Sequence, residues 1–202
     1  MNTHLADEIN KIFKLDNRIY KAFSEIDRRD FLPTGLHYKA YKLESLPLTE
    51  DSTISSPLTV AKMTTYLDLD SGVDSVLEIG AGSGFQAAIL SKLVRRVFTI
   101  DRISKLVKEA KERFNKLNLY NINIKCDDGM KGWKDYAPYD RILLSAYTDE
   151  VVNLLEQLSD NGFIVAPIER NGRQYITKIY KNGTKKEIEE CEFVPIKKGV
   201  ML

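Results

Sequence analysis

Apolar residues recur along this chain first at helical spacing and later in short runs. Leu5, Ile9, Ile12 and Phe13, then Ile19, Ala22, Phe23 and Ile26, fall three or four apart, so the first thirty residues read as helical. Leu32-Pro33-Thr34-Gly35 breaks that pattern. Residues 36–55 read as irregular, with Pro47 and a polar run Thr49-Glu50-Asp51-Ser52-Thr53. Ser56-Pro57 then predicts a helix start, serine as the cap and proline at the first helical position. Val60, Met63, Thr64 and Leu67 give that helix an apolar face.

After Ser71-Gly72 the pattern changes. Val76–Ile79 is a short apolar run with the look of a buried strand, and Val97–Ile100, Ile122–Cys126, Arg141–Leu144 and Phe163–Ala166 read as four further strands. Helical stretches separate several of them: Phe85–Leu93, then a helix whose face is marked by Ile103, Leu106, Val107, Ala110, Phe114 and Leu117, and later Val151–Leu158 with Thr148 as its cap. Tyr175–Tyr180 and Ile188–Val194 flank Asn182-Gly183, a hairpin signal. Strands alternating with helices predict an α/β fold. Its sheet should be mostly parallel, covered on both faces and closed by a C-terminal antiparallel hairpin.

Composition adds exclusions. Thirty basic residues against twenty-nine acidic ones leave no strong field for nucleic acid. With 43% apolar and 29% charged residues the chain has the balance of an ordinary globular protein. Cys126 and Cys191 fit no metal or disulfide pattern and read as reduced thiols of a cytoplasmic protein. No metal site is expected. The opening residues lack the apolar core of a signal peptide, and no apolar run is long enough to cross a bilayer.

The chemistry concentrates at strand ends. The first strand runs into Glu78-Ile79-Gly80-Ala81-Gly82-Ser83-Gly84-Phe85-Gln86, where alternate glycines let the backbone approach a ligand. About twenty residues on from Gly80, the second strand ends at Asp101, whose carboxylate can accept two ribose hydroxyls. A dinucleotide fingerprint would carry its last glycine at position 85, where Phe85 stands, so the loop favours S-adenosyl-L-methionine over NAD; a plain tight turn would use the same glycines. The serine-hydrolase motif G-x-S-x-G fails at Ser83, and His4 and His37 both precede it, against that fold's order. At the end of the third strand, Asp128 of Asp127-Asp128-Gly129 could accept an adenine amino group, or simply make a turn.

Arg29-Asp30-Phe31-Leu32-Pro33, Thr53-Ile54-Ser55-Ser56-Pro57, Val76–Gly80 with Gly82–Leu90, Gly132-Trp133, Ala137-Pro138-Tyr139-Asp140, Gln174 and Phe193-Val194-Pro195 together resemble the protein-L-isoaspartate O-methyltransferase family. The resemblance runs from about residue 29 to the end, and its specific parts are T-I-S-x-P and F-V-P. It implies a Rossmann-like methyltransferase fold in a single domain over 1–202, with 1–70 as a helical and acceptor-loop segment and 71–202 as cofactor-binding core and hairpin. It implies S-adenosyl-L-methionine as cofactor. Gly80, Gly82 and Gly84 would pass the methionine part, Asp101 would hold the ribose, and Asp128 and Gly129 would meet the adenine. Glu78, Ser83 and Gln86 belong to the same cofactor-binding set. Thr53, Ile54 and Ser55 would line the methyl-transfer site, with Ser55 as the catalytic residue. The implied partners are isoaspartyl peptides or proteins, with no nucleic acid or membrane, for a monomeric repair enzyme.

The chain departs from that family near the acceptor. Residues 47–52 replace a glycine-containing loop, Ser145-Ala146-Tyr147 replaces Thr-Ala-Ala, and Glu169 stands where glycine is common. These departures keep two rivals in view: a same-fold methyltransferase acting on another peptide carboxylate or on RNA, and a cofactor-binding protein without turnover. An isoaspartyl α-carboxylate is already ionised at neutral pH, so the implied reaction needs alignment more than a base. Ser56 is the better helix cap, which leaves the Ser55 hydroxyl for the acceptor.

Overall fold

A computed structural model of the chain describes residues 3–49 and 52–201; Glu50 and Asp51 of the polar run lie outside them. The helical opening divides into α1 (His4–Ile12) and α2 (Asn17–Glu25). Asp16 causes the division: its carboxylate accepts the Arg18 and Ile19 amides at 2.8 and 2.9 Å and caps α2. Short 3₁₀ turns follow at Arg28–Phe31 and Thr34–Lys39. The stretch expected to be irregular holds a small antiparallel hairpin, β1 (Leu46–Thr49) and β2 (Ser52–Ile54), with Leu46 opposite Ile54 and Pro47 opposite Thr53. Strands of three and four residues are too short to show a period in sequence. Helix α3 (Pro57–Tyr66) begins as expected, the Ser56 hydroxyl accepting the Thr59 amide at 3.0 Å.

The main sheet is built from β3 (Ser75–Ile79), β4 (Arg96–Asp101), β5 (Ile122–Cys126), β6 (Tyr139–Leu144), β7 (Leu158–Arg170), β8 (Arg173–Tyr180) and β9 (Lys185–Cys191). Its order is β5-β4-β3-β6-β7-β8-β9. The first five of these run parallel, and β8 and β9 add antiparallel edges, as the alternation predicted. Helices α4 (Phe85–Ser91) and α5 (Ser104–Lys116) link β3 to β4 and β4 to β5. One face of the sheet packs with Leu5, Phe23, Phe31, Phe85 and Leu90, the other with Phe98, Tyr139, Ile142, Leu154 and Ile164. All five residues of β3 are buried, which fits its continuous apolar run and central place.

The helix expected over Val151–Leu158 is cut to one turn, α6 (Val152–Leu155). Gln157 accounts for this. It is buried, its carbonyl accepts the Tyr139 amide at 2.8 Å, and its side chain accepts from Trp133 N and donates to Lys131 O. The chain is drawn into the sheet from Leu158 onward, and β7 runs thirteen residues. Thr148 is no helix cap; it bridges to Ile168, and its hydroxyl bonds within the turn to Glu150. Likewise β9 ends at Cys191, so Phe193-Val194-Pro195 leaves the sheet.

Strands β3 and β6 are neighbours, and the chain leaves the carboxyl end of β3 towards β4 and that of β6 towards β7, in opposite directions, which opens a crevice between them. Gly84 sets the start of α4. It has φ +89°, and an added Cβ would lie 2.6 Å from the Phe114 ring of α5. Gly84→Ala should therefore destabilise the protein by about 2–4 kcal/mol, summing backbone strain and overpacking. Gly172→Ala, at φ +76° with open space around it, should cost about 1–2 kcal/mol from the backbone alone. Denaturant unfolding of the two variants measures the difference.

Candidate active site

The crevice deepens into a cavity of about 720 Å³, within the range of small-molecule sites. Its floor is the turn after β3. Gly80 has φ +98°, and a Cβ there would reach the Ser145 side chain at 3.4 Å. The bare backbone thus lines the space between the ends of β3 and β6. Gly82 and Ser83 continue that wall. Gln86 also lines it, with its amide donating to Thr64 Oγ1 at 2.9 Å, so this side chain couples α4 to α3.

Asp101 closes one side. It is only 8% exposed; Oδ2 accepts the Gly82 amide at 2.7 Å and Oδ1 the Ile103 amide at 2.9 Å. Each oxygen keeps a lone pair for a ligand. Burial raises its pKa, and the amides of Ile103 and Gly82 work against that rise. Glu78 lies deeper. It is fully buried and lines the cavity, Oε2 accepts the Thr99 hydroxyl at 2.6 Å, and Oε1 has no partner among the described residues. Burial pushes its pKa up to about 8, reinforced by the nearby Asp101 charge and opposed by the Thr99 hydroxyl. An orphaned buried carboxyl oxygen facing a cavity suits a cationic ligand.

The opposite wall comes from the hairpin. Thr53, Ile54 and Ser55 line the cavity, and Ser55 is half-buried. The Ser55 hydroxyl makes no hydrogen bond among the described residues, whereas Ser56 is taken up as the cap of α3. Gly129 lines the cavity from beyond β5.

Two expected residues stand outside the lining. Gly84 is buried beneath α5 and serves helix packing, as its contact with Phe114 requires. Asp128 caps the turn Gly129–Lys131 by accepting the Met130 amide at 3.0 Å, and its other oxygen accepts the Gly199 amide at 2.9 Å. Each of its oxygens thus accepts one backbone amide, as those of Asp101 do, and the residue itself is not among those lining the cavity.

Sequence reasoning gave no role to the residues that complete the mouth. Phe193–Lys197 forms one rim. Gln174 pins it by accepting the Phe193 amide at 2.7 Å and donating to its carbonyl at 3.2 Å, and Tyr147 pairs with Val194 and Ile196. Gln174 and F-V-P were visible as parts of the family resemblance; their juxtaposition was not. Arg28, wholly buried, was also missed; its guanidinium donates to the carbonyl of Ser55 at 3.0 Å.

The sequence and the fold both match known proteins. Residues 1–201 match the model of a family described as Protein-L-isoaspartate(D-aspartate) O-methyltransferase. A Helicobacter pylori (strain G27) protein-L-isoaspartate O-methyltransferase is 47% identical over 98% of this chain and 97% of its own. A solved protein-L-isoaspartate O-methyltransferase superposes with a TM-score of 0.85 at 29% identity over 96% of this chain; the chain spans 65% of that protein. A Plasmodium falciparum structure in complex with S-adenosyl-L-homocysteine shares the fold, with a TM-score of 0.84 at 22% identity over 98% of this chain and all of that one.

Glu78 should make the stability of the fold sensitive to pH. Its folded pKa is raised, so its neutral form favours the fold, and that contribution is lost as pH rises from the ordinary glutamate value towards about 8. Glu78→Gln cannot ionise. Thermal melts at pH 5 should show little difference between variant and wild type, and at pH 8 the variant should gain stability relative to wild type.

Proposed function

The chain belongs to the protein-L-isoaspartate(D-aspartate) O-methyltransferase family, and on that premise we propose that it methylates the free α-carboxylate of isoaspartyl residues in damaged proteins, taking the methyl group from S-adenosyl-L-methionine. The observation that carries this reading is one cavity joining the glycine turn and Asp101 to the Thr53–Ser55 segment. Donor and acceptor can therefore meet in a shared space.

The residues present fit the cofactor. Asp101, with a lone pair left on each oxygen, suits the ribose hydroxyls. The backbone of Gly80–Gly82 suits the methionine portion, and the unpartnered Glu78 oxygen suits its ammonium group. When bound, the cofactor supplies a methyl group on a positively charged sulfur that becomes neutral as the methyl leaves.

What remains for the chain is alignment. The acceptor carboxylate is ionised at neutral pH, so no general base is needed. The Ser55 hydroxyl can donate to one carboxylate oxygen and orient the other, without placing a repelling charge beside it. Holding the reacting groups in line can contribute roughly 7–11 kcal/mol in favourable cases. The resulting ester is primed to cyclise to a succinimide, whose hydrolysis returns part of the damage to aspartate.

The acceptor is an extended peptide segment entering between the hairpin and the Phe193–Lys197 rim. No helix among the described residues is long and apolar enough to cross a membrane. We place the reaction in the cytoplasm and in a monomer; the free thiols of Cys126 and Cys191 accord with that compartment.

Transfer of labelled methyl groups to paired peptides tests the reading. The isoaspartyl peptide should be methylated and its aspartyl twin left unmodified. Equal labelling of both, or labelling of RNA alone, would overturn it. Within the same assay Ser55→Ala should lower kcat/KM by roughly ten- to a hundredfold, the loss of a hydrogen bond to a charged partner. Ser56→Ala should instead cost about 1 kcal/mol of stability through the helix cap, visible as a lower Tm.

A further inference from the structure

Arg28 lies in the turn Arg28–Phe31, outside the cavity lining, and is 0% exposed. Its guanidinium donates four hydrogen bonds, all to backbone carbonyls. Nη1 reaches Ala40 O at 3.2 Å and Lys42 O at 3.1 Å; Nη2 reaches Glu44 O and Ser55 O, both at 3.0 Å. None of these acceptors is a carboxylate, and Nε has no partner among the described residues. Burial pushes its pKa down to about 10, with Glu44 opposing the fall, so the group remains a cation at neutral pH.

We propose that Arg28 is a positioning residue for methyl transfer, its guanidinium joining the segment before β1 to Ser55 after β2 and so fixing the Ser55 hydroxyl towards the acceptor carboxylate. The inference rests on the functional reading above. Three observations support it. A buried cation hydrogen-bonded only to neutral carbonyls is costly, and an apolar side chain of similar size would fill the same volume without that cost. A hydrocarbon could not gather carbonyls from residues 40–44 and 55, the two segments that bracket the hairpin. A lysine could not span them either, because its ammonium is a single point, whereas the guanidinium is a rigid fork of donors. Finally, the groups on both sides of the Ser55 hydroxyl are already committed. Arg28 holds the Ser55 carbonyl, and Ser56 is bound to Thr59 N as the helix cap. Between these anchors the Ser55 hydroxyl is the polar group left for the cavity.

A double-mutant cycle tests this on the full-length enzyme with an isoaspartyl peptide, using wild type, Arg28→Lys, Ser55→Ala and the double variant. S-adenosyl-L-homocysteine binding is measured by calorimetry on each. Arg28→Lys should lower kcat by about tenfold, leave cofactor affinity within about threefold, and add little to the loss already caused by Ser55→Ala, because both act through one hydroxyl. Full kcat in Arg28→Lys, or losses that multiply in the double variant, would overturn the proposal. So would loss of cofactor binding together with turnover in both Arg28→Lys and Arg28→Gln, which would make the guanidinium a support of the whole fold. A wild type that leaves the isoaspartyl peptide unmethylated overturns the functional reading, and the role of Arg28 with it.

Discussion

The hydrogen bond from the Gly82 amide to the Asp101 carboxylate ties the turn after β3 to the end of β4. The other oxygen of Asp101 takes the Ile103 amide and fixes the entry into α5. One buried carboxylate thereby holds two strand ends at a set separation where the sheet's connections diverge. The Gly80 and Ala81 amides add to this by donating to Ile100 O. The turn can remain open and lined by bare backbone because its conformation is held from the side. Glu78, buried beneath it with one oxygen unpaired, is the electrostatic cost of that arrangement.

The acceptor side is built from different material. It is a two-strand hairpin too short to be stable alone, held at its base by Arg28, at its exit by the Ser56 cap, and faced by a rim that Gln174 and Tyr147 pin in place. Backbone clamps together with the burial of Leu46 and Ile54 in the core determine where Thr53, Ile54 and Ser55 stand. Of the residues at which the chain departs from the family pattern, Ser52, Ser145 and Ala146 line the cavity.

The strands that are buried on both faces were legible because burial writes itself as uninterrupted apolar runs: Val76–Ile79 and Val97–Ile100 lie where those runs are. Ser56-Pro57 was legible because capping is local chemistry. The helix over Val151–Leu158 was not, since its truncation depends on the contacts of Gln157 with Trp133 and Lys131, more than twenty residues away. Asp-Gly at a strand end serves both a turn and a site; at Asp128 the turn is what the structure shows, and the tail amide of Gly199 bonded to its second oxygen is distant in sequence. Arg28 escaped notice for the same reason. In Asp27-Arg28-Arg29-Asp30 it looks like one charge among solvated neighbours, and its partners are backbone carbonyls, which carry no sequence signal.

Under the proposed function the Asp101 carboxylate, at the end of β4, holds the ribose of an S-adenosyl cofactor. Calorimetric titration of S-adenosyl-L-homocysteine into wild type and Asp101→Ala tests it most directly, with NAD as the comparison ligand. The wild type should bind S-adenosyl-L-homocysteine and not NAD. The variant should bind it roughly ten- to a hundredfold more weakly, the loss expected when charge-assisted hydrogen bonds disappear. Undiminished binding in Asp101→Ala, or tighter binding of NAD than of S-adenosyl-L-homocysteine by the wild type, would contradict the account.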